Sequence, residues 1–191
     1  MQQVFQLTYI EYPSEDKYFG FLMALFSLAP ILLLPSILTT FVYSRDLRVG
    51  FLSLGLILST VINEVLKAII KQQRPLLSHR KGYGMPSDHA QFMFFLLVVA
   101  RNMLKDKRFR PGFASFGSFV LFIASVLVMI SRVYLGVHTL LQVLIGALIG
   151  FIFGAIWTQL FEALSSKGFI SYWSNSIDSI WFTYCEFKKI P

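Results

Sequence analysis

Long apolar runs separated by short polar breaks dominate the pattern of this chain. Several of these runs approach or exceed the roughly 20 residues that a helix needs to cross a bilayer core. Such runs predict helices, because in lipid every backbone polar group must be satisfied inside its own segment or a closed barrel. We therefore predict an all-α, polytopic transmembrane helix bundle with about five spanning helices. Their expected positions are near residues 18–42, 49–70, 87–104, 113–131 and 138–160.

Two prolines, Pro30 and Pro35, interrupt the first apolar run. Neighbouring helices and local rearrangement of hydrogen bonds make prolines tolerable in a spanning helix, usually with a kink. We expect one kinked helix here, and a re-entrant pair of shorter helices is the alternative.

The composition agrees with a membrane protein: 55% of the 191 residues are hydrophobic and only 14% are charged, which is too apolar for a soluble domain. The net charge of +7 is compatible with nucleic-acid binding. Without a soluble domain to display them, however, basic residues more often set membrane orientation or meet acidic lipid headgroups. We expect no nucleic-acid partner. Cys185 is the single cysteine, so no intrachain disulfide can form.

Five crossings would place the loops at 71–86 and 132–137 on the same face as the N-terminus. The opposite face carries ten of the 17 Lys and Arg residues, and three of the remaining seven belong to a candidate site described below. Because Lys and Arg concentrate on cytosolic loops, we expect the ten-residue face to be cytosolic and the 71–86 loop to be lumenal or exterior. The ten are Arg45, Arg48, Arg101, Lys105, Lys107, Arg108, Arg110, Lys167, Lys188 and Lys189.

The last part of the chain is rich in aromatic residues but broken by Ser, Asn, Asp and Gly, which favours a segment that lies at the interface. We therefore expect a membrane domain over 1–160 and an interfacial, cytosolic tail over 161–191. The tail ends in Lys188-Lys189-Ile190-Pro191, which resembles the dilysine signal that returns membrane proteins to the endoplasmic reticulum. Simple attraction to lipid headgroups is the alternative.

Ionisable residues in or beside membrane helices are costly, so each suggests a function. Lys67, Lys71 and Arg74 are spaced i, i+4 and i+7, which stacks them on one face if the second helix continues that far. Pro75 disfavours helix at Arg74, so the guanidinium is expected just past the helix end. Alternatives are a snorkelling Lys71, and for Lys67 an ion pair with Glu64 one turn away.

A second polar group, Gly82-Tyr83-Gly84-Met85-Pro86-Ser87-Asp88-His89, directly precedes an apolar run. Ser87 is a candidate N-cap, and the first-turn amides of such a helix form an anion site. Asp88 would repel a phosphate there, so it is expected to point away or to cap. His89 is a candidate proton donor to a leaving group, with a histidine satisfied by backbone carbonyls as the alternative.

The third group is Ser131-Arg132, followed by His138 and Gln142. The fourth predicted helix ends near Arg132 and the fifth opens at His138, so the two should meet on the same face. At i, i+4, the Gln142 amide oxygen can accept a ring N–H of His138 and present the other ring nitrogen as a nucleophile.

In order along the chain, these residues resemble the signature of the type 2 phosphatidic acid phosphatase superfamily, K-x6-R-P, P-S-G-H and S-R-x5-H-x3-D. The match covers residues 67 to 142, with Asp88 in place of Gly and Gln142 in place of Asp. Residues 83–87 and Gln91-Phe92-Met93 further resemble the eukaryotic dolichyl diphosphate phosphatase branch.

The resemblance implies a vanadium-haloperoxidase-like helical core and hydrolysis of dolichyl diphosphate to dolichyl phosphate at the lumenal face of the endoplasmic reticulum. The polyprenyl diphosphate lipid would be the substrate, recycled as the glycan carrier, without a cofactor or metal. It makes His138 the nucleophile, oriented by Gln142, and His89 the acid. Gln142 brings no negative charge to His138, and Glu64 is a candidate to supply one. The implied phosphate-binding residues are Lys67, Arg74, Ser87, Asp88 and Arg132.

Two other functions are left open by the sequence. One is a phosphatase of lipid monophosphates such as phosphatidate or a sphingoid phosphate. The other is a lipid-binding protein without turnover, which Asp88 favours and the intact His89 and His138 oppose. The Gly146, Gly150 and Gly154 spacing permits close helix contact, either within the bundle or in a dimer, so the oligomeric state stays open.

Overall fold

The computed structural model describes residues 2–5, 10–13, 17–76, 78, 80–105, 110–170, 172–173, 176 and 179. Within these ranges the chain forms five α-helices, which confirms the predicted helical bundle. They are α1 (Lys17–Ser44), α2 (Leu47–Ile70), α3 (Asp88–Leu104), α4 (Pro111–Tyr134) and α5 (Leu140–Ser166). An antiparallel pair of short strands, β1 (Gln2–Phe5) and β2 (Ile10–Pro13), precedes the bundle and was not expected.

The chain is a multi-pass membrane protein. Four of the described helices, α1, α2, α4 and α5, are long and apolar enough to cross a membrane. The 17 residues of α3 give a length of about 25 Å, at the short end of the range for a spanning helix. This helix packs against α2, α4 and α5, and its own apolar side chains, such as those of Ala90, Met93 and Phe95, are fully buried. A helix enclosed by other helices does not have to match the lipid thickness by itself.

Helix boundaries differ from expectation in two places that matter for organisation. Helix α1 runs without a break through Pro30 and Pro35, so the re-entrant pair of helices is wrong. Helix α5 continues to Ser166, so the expected boundary between residues 160 and 161 falls inside a helix. The dilysine end of the tail lies outside the described residues.

The glycine stripe of α5 packs against α3 within the bundle. A Cβ atom on Gly146 would collide with the carbonyl oxygen of Ser87, and one on Gly150 would collide with that of Gln91. A Cβ on Gly154 would lie 3.2 Å from the Phe95 carbonyl oxygen. The stripe therefore brings the α5 backbone against the first half of α3. The polar residues of the 82–89 segment meet those of the 131–142 segment at this end of the two helices.

Candidate active site

The end of α2 redirects the chain toward the site. Lys71 adopts a left-handed conformation with φ of 55° and its N–H donates to the Lys67 carbonyl, 3.0 Å away, which closes the helix at Ile70. The helix therefore ends before it could stack Lys67, Lys71 and Arg74 on one face, and Arg74 lies past the helix end, as Pro75 predicts. Lys71 is exposed, and Arg74 lies on the loop that follows.

That loop is closed on itself. Gln73 forms an isolated antiparallel β-bridge with Tyr83, and the Gly84 N–H donates to the Gln72 carbonyl at 2.8 Å. Both ends of the loop also contact the turn between α4 and α5: Nη1 of Arg74 donates to the Val137 carbonyl at 3.1 Å, and the Gly84 carbonyl lies 2.9 Å from the ring of His138.

His138 is located in that turn, one residue before Thr139, the N-cap of α5. Its ring is buried. Nδ1 lies 2.9 Å from the Gly84 carbonyl oxygen and 3.2 Å from Oε1 of Gln142, and both of these atoms are acceptors. The Nδ1 atom therefore carries the proton, which leaves the lone pair on Nε2. Nε2 in turn is 3.2 Å from Nη1 of Arg74.

Gln142 makes more contacts than its spacing to His138 predicts. Its Oε1 also accepts from the Thr139 N–H at 3.2 Å, which completes a capping box. Its Nε2 donates to Oε1 of Gln72 at 3.0 Å and to the Gln73 carbonyl at 2.9 Å. A carboxylate could not make these two donations, which gives a physical reason for Gln where the broader signature has Asp.

Gly84 is required beside this amide. A Cβ atom at position 84 would lie 2.7 Å from Oε1 of Gln142, so a larger residue would push the loop carbonyl away from His138. The Gly84 carbonyl is the shorter of the two Nδ1 contacts, and sequence reasoning missed it because backbone acceptors carry no residue-type signal.

The electrostatics favour a neutral His138. Its pKa is lowered to about 3, first by burial and then by the positive charges of Arg132 and Arg74, while the hydrogen bonds to Gln142 and Gly84 partly oppose the shift. At neutral pH the ring is therefore unprotonated at Nε2, which is the form a nucleophile needs. Burial likewise lowers the pKa of Arg74, but a guanidinium stays protonated in proteins.

The start of α3 contributes Ser87 and His89. Ser87 is the N-cap residue and fully buried, yet its hydroxyl caps nothing and has no partner within the described part of the chain. The buried Nε2 atom of His89 has none there either. The Ser87 N–H donates to the Gln142 carbonyl at 3.0 Å, and this bond connects the start of α3 to α5.

Asp88 does not cap the helix, because Ser87 occupies the N-cap position. The Asp88 side chain is 37% exposed, and its Oδ2 lies 4.0 Å from Nδ1 of His89, beyond hydrogen-bond length. The charge of Lys67 reaches Asp88. The Asp88 carboxylate therefore neither caps the helix nor hydrogen-bonds to His89.

Arg132, in the last turn of α4, is almost completely buried. Its Nη1 donates to Oγ of Ser27 on α1 at 2.8 Å, while its Nε has no partner among the described residues. Its carbonyl accepts from the N–H groups of Val137 and His138, both at 3.3 Å, which fixes the turn. Ser27 was missed by sequence reasoning because a serine inside an apolar helix gives no functional signal.

Lys67 pairs with Glu64, as the ion-pair alternative expected, with Nζ 2.7 Å from Oε1. The Lys67 side chain is 13% exposed and that of Glu64 is 65% exposed. Glu64 thus faces Lys67, and the Nδ1 partners of His138 are Gly84 and Gln142, so the suggestion that Glu64 supplies a charge to His138 is wrong.

A buried amide network lies beneath the start of α3. The Asn63 Nδ2 donates to Oε1 of Gln91 at 2.8 Å, and the Gln91 Nε2 donates to the carbonyl of Ser59 at 2.7 Å. Asn63 also reaches the Pro86 carbonyl at 3.4 Å. These bonds hold α2 against the turn that carries Ser87 and His89.

The site as a whole contains buried polar atoms without hydrogen-bond partners in the part of the chain that the structure describes, and the two Arg Nε atoms among them can only donate. Four of its side chains have a buried polar atom with no partner in the described ranges: Arg74 Nε, Ser87 Oγ, His89 Nε2 and Arg132 Nε. Within the same ranges no group of three or more His, Cys, Asp or Glu is placed to hold a metal ion. Unsatisfied buried donors are costly, and an anion that accepted from them would offset that cost.

Comparison with known proteins agrees with this arrangement. Residues 48–166, which include the whole site, match the PAP2 superfamily. The chain is 38% identical to dolichyldiphosphatase 1 of Dictyostelium discoideum over 168 residues, covering 82% of this chain and 71% of that protein. It is 35% identical to dolichyldiphosphatase of Saccharomyces cerevisiae over 180 residues (88% and 74%). It is 37% identical to lipid phosphate phosphatase gamma of Arabidopsis thaliana over 159 residues (79% and 70%).

Among solved structures, the chain resembles a transmembrane PAP2-type phosphatidylglycerolphosphate phosphatase from Bacillus subtilis. The TM-score is 0.69 at 26% identity, covering 77% of this chain and 78% of that one. LpxE of Aquifex aeolicus gives a TM-score of 0.57 at 26% identity (78% and 87%). With the family match over residues 48–166 and relatives aligned over most of their length, this chain belongs to the PAP2 superfamily.

Proposed function

We propose that this chain is a phosphatase that hydrolyses dolichyl diphosphate to dolichyl phosphate and phosphate. The observation that carries the proposal is a neutral, buried imidazole whose Nε2 lone pair faces Arg74, in a site where four buried side-chain atoms lack partners within the described residues. That arrangement suits an anionic phosphoryl group, and the dolichyldiphosphatases among the relatives suggest which lipid carries it.

In the first step, Nε2 of His138 attacks the terminal phosphorus and the bond from that phosphorus to the bridging oxygen breaks. The electron pair stays with dolichyl phosphate, which His89 protonates as it departs. The Nδ1 proton of His138 remains on the ring, held by the Gly84 carbonyl and Oε1 of Gln142 at 2.9 and 3.2 Å. These two acceptors stabilise the charge that develops on the imidazole.

In the second step, water attacks the phosphorus of the phosphohistidine and His89 takes the proton of the water. The bond from phosphorus to Nε2 breaks, its electron pair returns to Nε2 of His138, and phosphate leaves. Throughout, the charge on the phosphoryl oxygens is met by Arg74, Arg132 and the Ser87 hydroxyl, with Lys67 nearby. Fixed cations provide here the charge stabilisation that a metal ion provides in other phosphatases.

We further propose that the site faces the lumen of the endoplasmic reticulum and the C-terminus faces the cytosol. The asymmetry of ten against four Lys and Arg outside the site supports this orientation. Recycling of the glycan carrier for protein N-glycosylation would follow.

A second candidate is hydrolysis of lipid monophosphates. It is favoured by the 37% identity to a protein called lipid phosphate phosphatase gamma, which is close to the identity with the dolichyldiphosphatases. The same constellation of His138, His89 and cations would serve a monophosphate, because only the leaving group differs.

A substrate panel separates the two. Purified protein in detergent is given dolichyl diphosphate, phosphatidate and a sphingoid phosphate, each with and without a chelator, and His138→Ala is the control. We expect phosphate release from dolichyl diphosphate to be fastest, to survive the chelator and to vanish in the variant. Equal turnover of phosphatidate would remove the specificity, and loss with the chelator would remove the metal-free mechanism.

A further inference from the structure

The loop between α2 and α3 arches beside the nucleophile. Arg74 at its start lies 3.2 Å from one ring nitrogen of His138, and the carbonyl of Gly84 at its end lies 2.9 Å from the other. The Gln73–Tyr83 bridge joins the two sides of the loop. At its tip, the Ser78 N–H donates to the Pro75 carbonyl at 2.9 Å and forms a turn. The described residues of the tip, Ser78 and Arg80, therefore lie on a short loop whose two ends contact His138.

Arg80 lies on this loop and is not part of the three-part signature. Its side chain is exposed, and its N–H lies 3.4 Å from Oγ of Ser78. After burial, the charge of Arg80 is the next cause that lowers the pKa of Arg74. Arg80 lies four residues before Gly84, whose carbonyl contacts His138, so the loop backbone places it beside the site. The influence of its charge on Arg132 and His89 agrees with this position.

No carboxylate in the described ranges forms an ion pair with Arg80. Three mutually repelling guanidiniums at Arg74, Arg80 and Arg132 are unfavourable in the empty protein, and an anion with several charges would relieve the repulsion. The charge of Lys67 is already balanced in part by Glu64, 2.7 Å away, so Arg80 is the less compensated of the two cations.

A diphosphate needs more than the site around His138 supplies. Its terminal phosphate would be surrounded by Arg74, Arg132 and the start of α3, while the lipid-linked phosphate would extend toward the mouth. We propose that Arg80 binds this second, lipid-linked phosphate and makes the protein prefer diphosphates over monophosphates. The inference rests on the proposed function, because it assigns a residue to the half of the substrate that a monophosphate lacks.

The test compares Arg80→Gln with Arg80→Lys and with Lys81→Gln. Lys81 is the adjacent exposed cation, and its charge acts on none of the titratable site groups whose pKa is shifted, so it controls for simple loss of charge. For Arg80→Gln we expect kcat/KM on dolichyl diphosphate to fall roughly 10- to 100-fold, the range for hydrogen bonds to a charged group. On phosphatidate it should change less than about threefold, as for an exposed charge, and Lys81→Gln should match wild type within that factor on both substrates.

Arg80→Lys should recover part of the loss, because it restores the charge without the paired donors. A second readout needs no lipid: the ratio of the inhibition constants of inorganic pyrophosphate and phosphate should move toward one in Arg80→Gln. Equal losses on both substrates, equal losses in Lys81→Gln, or an unchanged inhibition ratio would overturn the role of Arg80. If the wild type fails on dolichyl diphosphate, the proposed function is wrong, and the inhibition ratio still tests Arg80 separately.

Discussion

Replacing Gln142 with Glu tests how the nucleophile is held. The side chain keeps its length, and Oε1 can still accept from His138 and Thr139. In the wild type, the Nε2 donor of Gln142 lies 3.0 Å from Oε1 of Gln72 and 2.9 Å from the Gln73 carbonyl. In the variant, an oxygen takes its place and faces both acceptors. Two lost hydrogen bonds and two acceptors left beside a carboxylate should cost roughly 2–5 kcal/mol of stability.

The same substitution places a negative charge beside the imidazole. His138 has a pKa of about 3 in the wild type, and a carboxylate at this distance should raise it by about two units, to near 5. Protonation of Nε2 removes the nucleophile, so the variant loses activity as the pH falls through the raised pKa. The ratio of variant to wild-type kcat/KM should drop about twofold from pH 7 to pH 5 and about tenfold by pH 4.

The assay is kcat/KM on dolichyl diphosphate from pH 4 to 8, taken as a ratio so that ionisation of the substrate and of other groups cancels. Gln72→Ala is the matched control, because it removes one partner of Gln142 without adding a charge near His138. Its ratio should be independent of pH. A flat ratio for Gln142→Glu would refute the placement of Nδ1 against residue 142.

Two further substitutions test the leaving group and the helix packing. His89→Ala should reduce kcat/KM on phosphatidate by roughly 10²- to 10⁴-fold, and much less on dolichyl diphosphate. The reason is that a phosphate leaving group has a pKa of about 6, whereas an alcohol is close to water at about 16 and needs a proton to depart. Equal losses on the two substrates would contradict the role of His89 as the acid. Gly150→Ala should destabilise the protein by roughly 1–3 kcal/mol, since the new Cβ meets the Gln91 carbonyl. Thermal unfolding in detergent measures this, with Gly112→Ala, where nothing lies within 4 Å, as the control that should not change.

The helices could be predicted because apolar length is a direct consequence of the bilayer. The ends were less accurate: Phe161–Ser166 continues α5 because Glu162 and Ala163 are good helix formers, although the apolar run has ended. The hairpin before α1 has no comparable length signal.

The candidate site was predictable where spacing along one segment decides the contact. His138 and Gln142 illustrate this, since four residues bring their side chains to 3.2 Å even though His138 precedes the helix. Contacts across the 72–84 loop were not predictable, because they depend on a left-handed Lys71 and on backbone carbonyls. Lys71 does not stack on Lys67, because the helix does not continue past residue 70.

The most direct test of the mechanism is to capture the phosphorylated protein. Dolichyl diphosphate labelled in the terminal phosphate is mixed with His89→Ala, in which hydrolysis of the intermediate is slowed, and the reaction is quenched in alkali. We expect label on His138 that survives alkali and is released by acid, and no label in the double variant that also carries His138→Ala. Phosphate release at the same rate without labelled protein, or label that persists after His138 is removed, would contradict a phosphohistidine at this position.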